Sequence, residues 1–305
     1  MAAGTSGEQW AGSYSRAYND NISVMMFEGA RDREIDALKW MDVRTAGDKP
    51  FEKEALWKAF GPAPVHYGNQ DIEFKAPTEL GDVSGNYREF WLGFAVDYTF
   101  TTKRGTREAM PEIARMLGRS INSAARTVGA EAFNQAFSTT YPTAADAFAL
   151  ISASHASPNL VTGNPPLNRV SLEDALTLQS NATDSAGNIL DLPPGTLIVG
   201  SKTLEYRGNE LLFTQRGKPE TALNDKNVFA DLAGMQVVRE AAATNTLRWL
   251  IAPAKGFHTA KLFLSPVIRF GPGFDEKKGT YFASLRFEAT WIVRDYGGFV
   301  GSNPT

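Results

Sequence analysis

Alternating apolar and polar residues predict several β-strands in this chain. The clearest is residues 280–294, where one face is apolar and the other is polar. The apolar face consists of Tyr281, Ala283, Leu285, Phe287, Ala289, Trp291 and Val293. Further strands are predicted at 196–200, after Pro193-Pro194-Gly195, and at 235–240, 246–252 and 260–270.

Residues 61–104 are predicted to form a long β-hairpin. In its first strand Ile72, Phe74 and Ala76 alternate with charged residues, and a turn-rich segment follows at 80–87. In its second strand the residues of one face are Phe90, Leu92, Phe94, Val96, Tyr98 and Phe100. Because a two-stranded ribbon is only marginally stable alone, its apolar face needs a partner. That partner is either the chain's own core or a neighbouring chain.

The strongest helical pattern covers residues 107–137, with Thr106 as a candidate cap or Pro111 at the first position. Such a helix would be about 45 Å long, and its glycines and alanines would let another backbone pack closely. Its apolar stripe consists of Met110, Ile113, Leu117, Ile121, Ala124, Val128 and Ala132. Shorter helices are predicted from a capping box at Ser171–Asp174 and after Ser201. Helices and strands without a βαβ rhythm indicate the α+β class.

The first 60 residues give weaker signals. Residues 1–27 are small, polar and glycine-rich, with Trp10 and Tyr14 among them, which is typical of a disordered segment or an arm lying on another surface. From residue 28 to 58 charges of both signs predominate, and Ile35, Leu38 and Met41 keep helical spacing. A solvated helix with one thin apolar stripe is predicted there.

Composition excludes several classes of protein. The 305 residues contain no cysteine, so disulfide scaffolds, thiolate metal sites and cysteine nucleophiles are excluded. A net charge of −3 argues against a free-standing nucleic-acid binder. No apolar run approaches the ~18–20 residues of a membrane span, and the N-terminus lacks the pattern of a signal peptide.

Candidate chemistry is sparse. The three histidines, His66, His155 and His258, are far apart and form no metal-binding pattern. There is no nucleophile elbow or phosphate-binding loop, and Asp184–Asn188 is predicted to be a plain turn. We therefore predict no catalytic, cofactor or metal site. The features that stand out are architectural, and they suit a chain whose partner is another copy of itself.

Several segments follow one another along the chain in a characteristic order and spacing. These are Phe90–Phe100 leading into a helix that ends at Ala132–Phe137, then Ile151–His155, Ser171–Leu176, Pro193–Gly200, Asn224–Phe229, Trp249–Pro253 and Phe287–Tyr296. Over residues 60–300 this ordered set resembles the major capsid proteins of tailed bacteriophages, which have the HK97-like fold, and most closely the Mu-like major head subunit group.

The resemblance implies an HK97-like architecture. It comprises an N-terminal arm (1–60), an extended β-hairpin loop (61–104), a peripheral domain with a long spine helix (105–170 and 256–300), an axial domain (171–255) and a C-terminal tail (301–305). Arms and extended loops reach neighbouring subunits in this family. The candidate inter-subunit contacts are Ile72, Phe74, Phe90, Phe94, Tyr98, Trp10 and Tyr14.

The implied function is that of a major capsid protein, assembled as hexamers and pentamers into an icosahedral shell around double-stranded DNA. The implied partners are a separate scaffolding protein, a portal protein, a decoration protein and DNA contacted without sequence specificity; no membrane, cofactor or metal is implied. The location would be the virion, after assembly in the host cytoplasm. Two alternatives stay open: an encapsulin-like compartment shell, and an enzyme whose site forms only in three dimensions.

Overall fold

The computed structural model describes residues 22–60, 75–97, 104–213, 234–275 and 280–305. The helices are α1 (22–31), α2 (Arg104–Asn134), α3 (Arg169–Ser180) and α4 (Lys202–Phe213), with a 3-10 turn at Asp36–Lys39. The strands are β1 (Asp42–Thr45), β2 (Phe51–Trp57), β3 (Glu79–Asn86), β4 (Arg88–Asp97), β5 (Pro194–Val199), β6 (Gln236–Arg239), β7 (Trp249–Pro253), β8 (Ala260–Leu264), β9 (Ile268–Asp275), β10 (Thr280–Val293) and β11 (Val300–Ser302). The predicted α+β class is confirmed.

Strand β10 is the centre of the main sheet, whose strand order is β1-β8-β10-β4. Along one side β4 pairs with it in antiparallel register, from Arg88 opposite Ala289 to Asp97 opposite Thr280. On the other side lie β8 and β9, and β1 extends the sheet in parallel to β8. The apolar face predicted for this strand is confirmed, since Tyr281, Ala283, Leu285, Phe287, Ala289 and Val293 are buried.

Helix α2 packs on the inner face of this sheet through its predicted stripe. Leu117, Ile121 and Val128 are buried in the same core as Leu285 and Phe287. The helix starts three residues earlier than predicted, and Pro111 lies inside it rather than at its first position.

The N-terminal segment packs against α2 at glycine positions. A Cβ atom on Gly118 would lie 2.1 Å from the Met26 carbonyl oxygen, and one on Gly29 would lie 2.1 Å from that of Arg115. Only glycine permits such an approach of two helix backbones. The expected close packing along α2 is therefore confirmed.

The predicted solvated helix over residues 28–58 is wrong beyond residue 31. The chain instead forms the 3-10 turn, β1 and β2, and it buries Trp40 and Met41 completely. Pairing of β1 with β8 and burial of these two side chains override the local helical spacing.

A second sheet, with strand order β11-β7-β5-β6, has its own core. Helices α3 and α4 supply Leu172 and Leu212 to that core. The cap of α3 is Asn168, whose side chain accepts a hydrogen bond from the Ser171 N–H at 3.0 Å, so Ser171 is the third helical residue rather than the cap. The strand predicted at 260–270 is divided into β8 and β9.

The turn predicted at 80–87 within the hairpin over residues 61–104 is wrong. This segment largely forms β3, which pairs with β2. Strand β4, the expected second limb, pairs with β10 along one of its edges. Alternation predicts a strand but not its partner, because the same pattern suits any neighbour. Most of the expected first limb lies outside the described residues.

Replacing Leu117 tests the packing of α2 on the sheet. Leu117 is 6% exposed, so Leu117→Ala should lower the free energy of unfolding by about 2–5 kcal/mol. Chemical denaturation of the isolated subunit measures this. The control is Met116→Ala on the same helix, where the side chain is 56% exposed and the change should stay within about 0.5 kcal/mol. Equal losses for both variants would contradict the assigned helix orientation.

Candidate inter-subunit surface

The outer face of the main sheet carries an exposed aromatic patch, formed by Trp91, Ile268, Phe270 and Phe282. The register of β4, β10 and β9 puts these side chains on the side opposite α2. Trp91 is 56% exposed, and its ring stacks on Phe270 with centroids 5.0 Å apart. The small Ser284 lies between their strands and lets the two rings meet. We call this surface the outer aromatic patch.

Charged groups surround the patch. The Arg286 guanidinium lies 5.6 Å from the centre of the Trp91 ring. Its nitrogen atoms also contact Glu89 at 2.5 Å and Glu288 at 2.6 Å. A cation held over an aromatic face between two carboxylates is attracted by both. The result is an apolar centre beside a polar margin whose cation is paired, as found at protein interfaces.

The predicted contact residues fall on a different face or outside the described chain. Phe90 and Phe94 point to the inner side and pack against the subunit's own core, where Phe90 stacks on Phe287 at 5.0 Å. Both side chains are only partly buried there, so their contact with a neighbouring subunit stays a prediction. The others, Ile72, Phe74, Tyr98, Trp10 and Tyr14, lie outside the described residues.

A second exposed apolar region lies on the β2–β3 ribbon and just beyond it. Phe51, Trp57, Phe60 and Leu80 are exposed there. The Glu54 carboxylate of β2 forms an ion pair with Lys261 of β8 at 2.5 Å. This pair is half-buried and fixes the ribbon to the main sheet.

Glycines bring β3 close to the body of the subunit. A Cβ atom on Gly81 would lie 2.5 Å from the Ala144 carbonyl oxygen, and one on Gly85 would lie 2.7 Å from Thr290 Oγ1. The close approach leaves a cleft of about 600 Å³ between β3, the end of α2 and residues 140–147. Polar side chains in this cleft bind each other. Glu131 accepts two hydrogen bonds from Arg88, both at 2.6 Å, and one from the Trp291 indole at 3.2 Å.

The described histidines have structural partners. His155 is buried, with Nδ1 2.6 Å from Asp146 and Nε2 3.3 Å from the Leu150 carbonyl, and its ring stacks on Tyr296. Burial lowers the pKa of His258, whose Nδ1 accepts a hydrogen bond from the Ala260 N–H. His66 lies outside the described part of the chain.

The Asp184–Asn188 segment forms the predicted turn, in which Asp184 accepts hydrogen bonds from two backbone N–H groups. Across the described ranges, no group of three acidic or histidine side chains could hold a metal ion. The helices of those ranges include none with the length and apolar character needed to cross a membrane.

The fold is similar to several solved structures. A chain of Mycobacterium phage Adephagia matches with a TM-score of 0.54 at 14% identity, covering 90% of this chain and 91% of that one. The capsid of an empty GTA particle matches with a TM-score of 0.53 at 12% identity, covering 88% of this chain and 90% of that one. A virus-like particle from Pyrococcus furiosus matches with a TM-score of 0.53 at 10% identity, covering 93% of this chain and 98% of that one. The architecture is the HK97-like fold that the sequence predicts.

The sequence itself identifies the family. Residues 91–302 match the phage capsid protein family, from the patch residue Trp91 to the last residue of β11. The chain therefore belongs to that family and is a shell-forming capsid protein of the phage particle. No curated protein matches the sequence significantly.

Replacing Lys261 tests how the ribbon is fixed. Lys261→Met should lower the free energy of unfolding by about 1–3 kcal/mol, because it leaves the half-buried Glu54 carboxylate without its partner. Chemical denaturation measures the loss, and hydrogen exchange in residues 51–57 should become faster. The double variant Glu54→Gln with Lys261→Met removes the unpaired charge and should regain part of the stability. If the single and double variants were equally stable, the ion pair would not hold the ribbon.

Proposed function

We propose that this chain is the major capsid subunit of a tailed phage. It assembles as hexamers and pentamers into an icosahedral shell around double-stranded DNA. The family match supports the class of protein. The outer aromatic patch is the observation that supports the mode of assembly, because large exposed apolar surfaces on soluble chains mark contact sites.

The sequence of β4 strengthens this argument. Residues 90–96 are apolar except for Gly93, so both faces of the strand are apolar. Such a run is typical of a strand covered on both sides. Within the subunit the core partly covers the side of Phe90 and Phe94, where Leu92 is 45% exposed, while Trp91 on the other side is 56% exposed. We infer that a neighbouring subunit covers the second side.

The two cores support a division into a peripheral and an axial domain, proposed at 105–170 with 256–300 and at 171–255. We also propose the N-terminal arm (1–60), the extended loop (61–104) and the C-terminal tail (301–305), with β1 joining the arm to the main sheet and β11 joining the tail to the second sheet. Strand β2 pairs with β3 in an antiparallel ribbon. This pairing favours β2 as the first strand of the extended loop, which would then begin within residues 51–57. The exposed Trp57 and Phe60 on this loop, together with Ile72, Phe74, Tyr98, Trp10 and Tyr14, are candidate contacts with neighbouring subunits.

The proposed partners follow from the family that the sequence resembles. They are a scaffolding protein, a portal protein and a decoration protein, with assembly in the host cytoplasm and membership of the Mu-like group. Packaged DNA would be contacted without sequence specificity, which agrees with a net charge of −3. An encapsulin-like shell has less support, because the family that the sequence matches is a phage capsid protein family.

Placing a charge in the outer aromatic patch tests the assembly surface. Trp91→Asp should abolish shells, because an unpaired carboxylate cannot be buried in an apolar contact. Negative-stain electron microscopy and light scattering of the purified full chain measure this. Thermal melting of the isolated subunit should change little, because the side chain is exposed.

The control is Trp91→Phe, which keeps an aromatic ring and should retain shells. Normal shells from Trp91→Asp would exclude the patch as an inter-subunit surface. A parent protein that forms no particles under any condition, with or without scaffolding protein, would contradict the proposed function itself.

A further inference from the structure

Glu240 is a buried carboxyl group without a hydrogen-bond partner. The residue directly follows β6 and is 1% exposed. Neither side-chain oxygen meets a donor with normal hydrogen-bond geometry. Buried polar groups are almost always satisfied, so this one needs an explanation.

The surroundings compensate a negative charge only in part. The Trp40 indole N–H faces the carboxyl but does not reach normal hydrogen-bond geometry, and it has no other partner. From α2 comes Arg126, which donates to Asp36 of the 3-10 turn at 3.0 Å. Asp36 also accepts a hydrogen bond from the Ala241 N–H at 3.2 Å. Arg126 is therefore shared with Asp36, and Glu240 otherwise faces the Trp40 indole, the Ala242 N–H and the like charge of Asp36.

This environment favours the protonated carboxyl. Burial, with a further contribution from the negative charge of Asp36, raises the pKa of Glu240 to about 7. A second buried titratable group, His258, lies near the Trp40 backbone, and burial lowers its pKa. A rise in pH therefore destabilises the folded site through Glu240 and stabilises it through His258.

Glu240 begins the segment that connects the second sheet to α2. Its own N–H donates to the Val199 carbonyl of β5 at 2.9 Å. Four residues on, the Thr244 N–H donates to the Asn134 side chain at the end of α2, at 2.8 Å. Asn134 also donates to the Ala242 carbonyl at 3.0 Å. We call residues 240–244 the junction.

We propose that Glu240 is a proton-controlled latch at the junction between α2 and the second sheet. The neutral side chain keeps the junction closed. Loss of its proton places an only partly compensated charge in a dry site, which is relieved when the junction opens and water reaches the carboxylate. The latch is a property of the folded subunit. Its consequence for the particle, a change in the relative position of the two sheets as the pH rises, rests on the proposed function.

The sign of the pH dependence follows from the raised pKa. An exposed glutamate has a pKa of 4.5, so between pH 4.5 and about 7 the closed state binds a proton that the open state releases. The stabilisation is fully present below pH 4.5 and is lost as the pH rises through about 7. From about pH 5.5 to about pH 8.5, the opening constant of the junction should increase roughly 30-fold.

Hydrogen exchange of the purified subunit measures this opening constant. Amide groups of residues 236–244 and of the last turn of α2 should lose protection roughly 30-fold between these pH values, after correction for intrinsic exchange rates. Glu240→Gln has the same shape but cannot ionise, so this loss of protection with rising pH should disappear. The matched control is Glu173→Gln on α3, an exposed carboxylate whose removal should leave the parent pH dependence unchanged.

The same pH dependence in Glu240→Gln as in the parent would overturn the latch. Direct NMR titration of the Glu240 carboxyl in the parent protein gives a second readout that does not require the variant to fold. A value near 4.5 there would also overturn it. These measurements use the isolated subunit, so a failure to form shells would count against the proposed function and not against the latch.

Discussion

The packing of α2 against β10 is the contact on which the rest of the structure depends. Strand β10 pairs with other strands along both edges, and α2 packs on its inner face. Glu131 connects the helix to both β4 and β10 by hydrogen bonds with Arg88 and Trp291. Long-range pairing of this kind closes loops of nearly 200 residues, so it forms only when helix and sheet bury their faces together.

The second sheet depends on the same helix, but only at its end. Arg248 of the segment leading into β7 donates to the carbonyls of Phe133 and Asn134, and its guanidinium lies 5.0 Å from the centre of the Phe137 ring. The last carbonyls of a helix carry partial negative charge, so a cation stabilises them. Burial lowers the pKa of Arg248, yet the group remains the natural donor for these oxygens. These Arg248 contacts lie at one end of a 31-residue helix. A small local rearrangement there would therefore alter how the second sheet is attached to α2.

The sequence predicted local elements better than their partners. The apolar stripe of α2 and the alternation of apolar and polar residues in β10 are predicted correctly, because each pattern reflects directly which side chains are buried. The pairing of β4 was missed, since its partner lies almost 190 residues further along the chain and alternation holds no information about distance. Burial of Trp40 and Met41 overrode the helical spacing of the N-terminal segment. The outer aromatic patch was also missed, although the apolar run at 90–96 on both faces was a signal that could have found it.

The charges beside the outer aromatic patch suit the contact that we propose for it. In that proposal the free subunit keeps this surface hydrated, and the same surface loses its water on assembly. A lone cation would oppose the second step, because burying an uncompensated ion is costly. Arg286 is already paired with Glu89 and Glu288 and lies over the Trp91 ring, so its charge is compensated before any neighbour arrives. A cation that is paired within the subunit loses less on contact than a lone one, and the aromatic centre would then be the main source of binding energy.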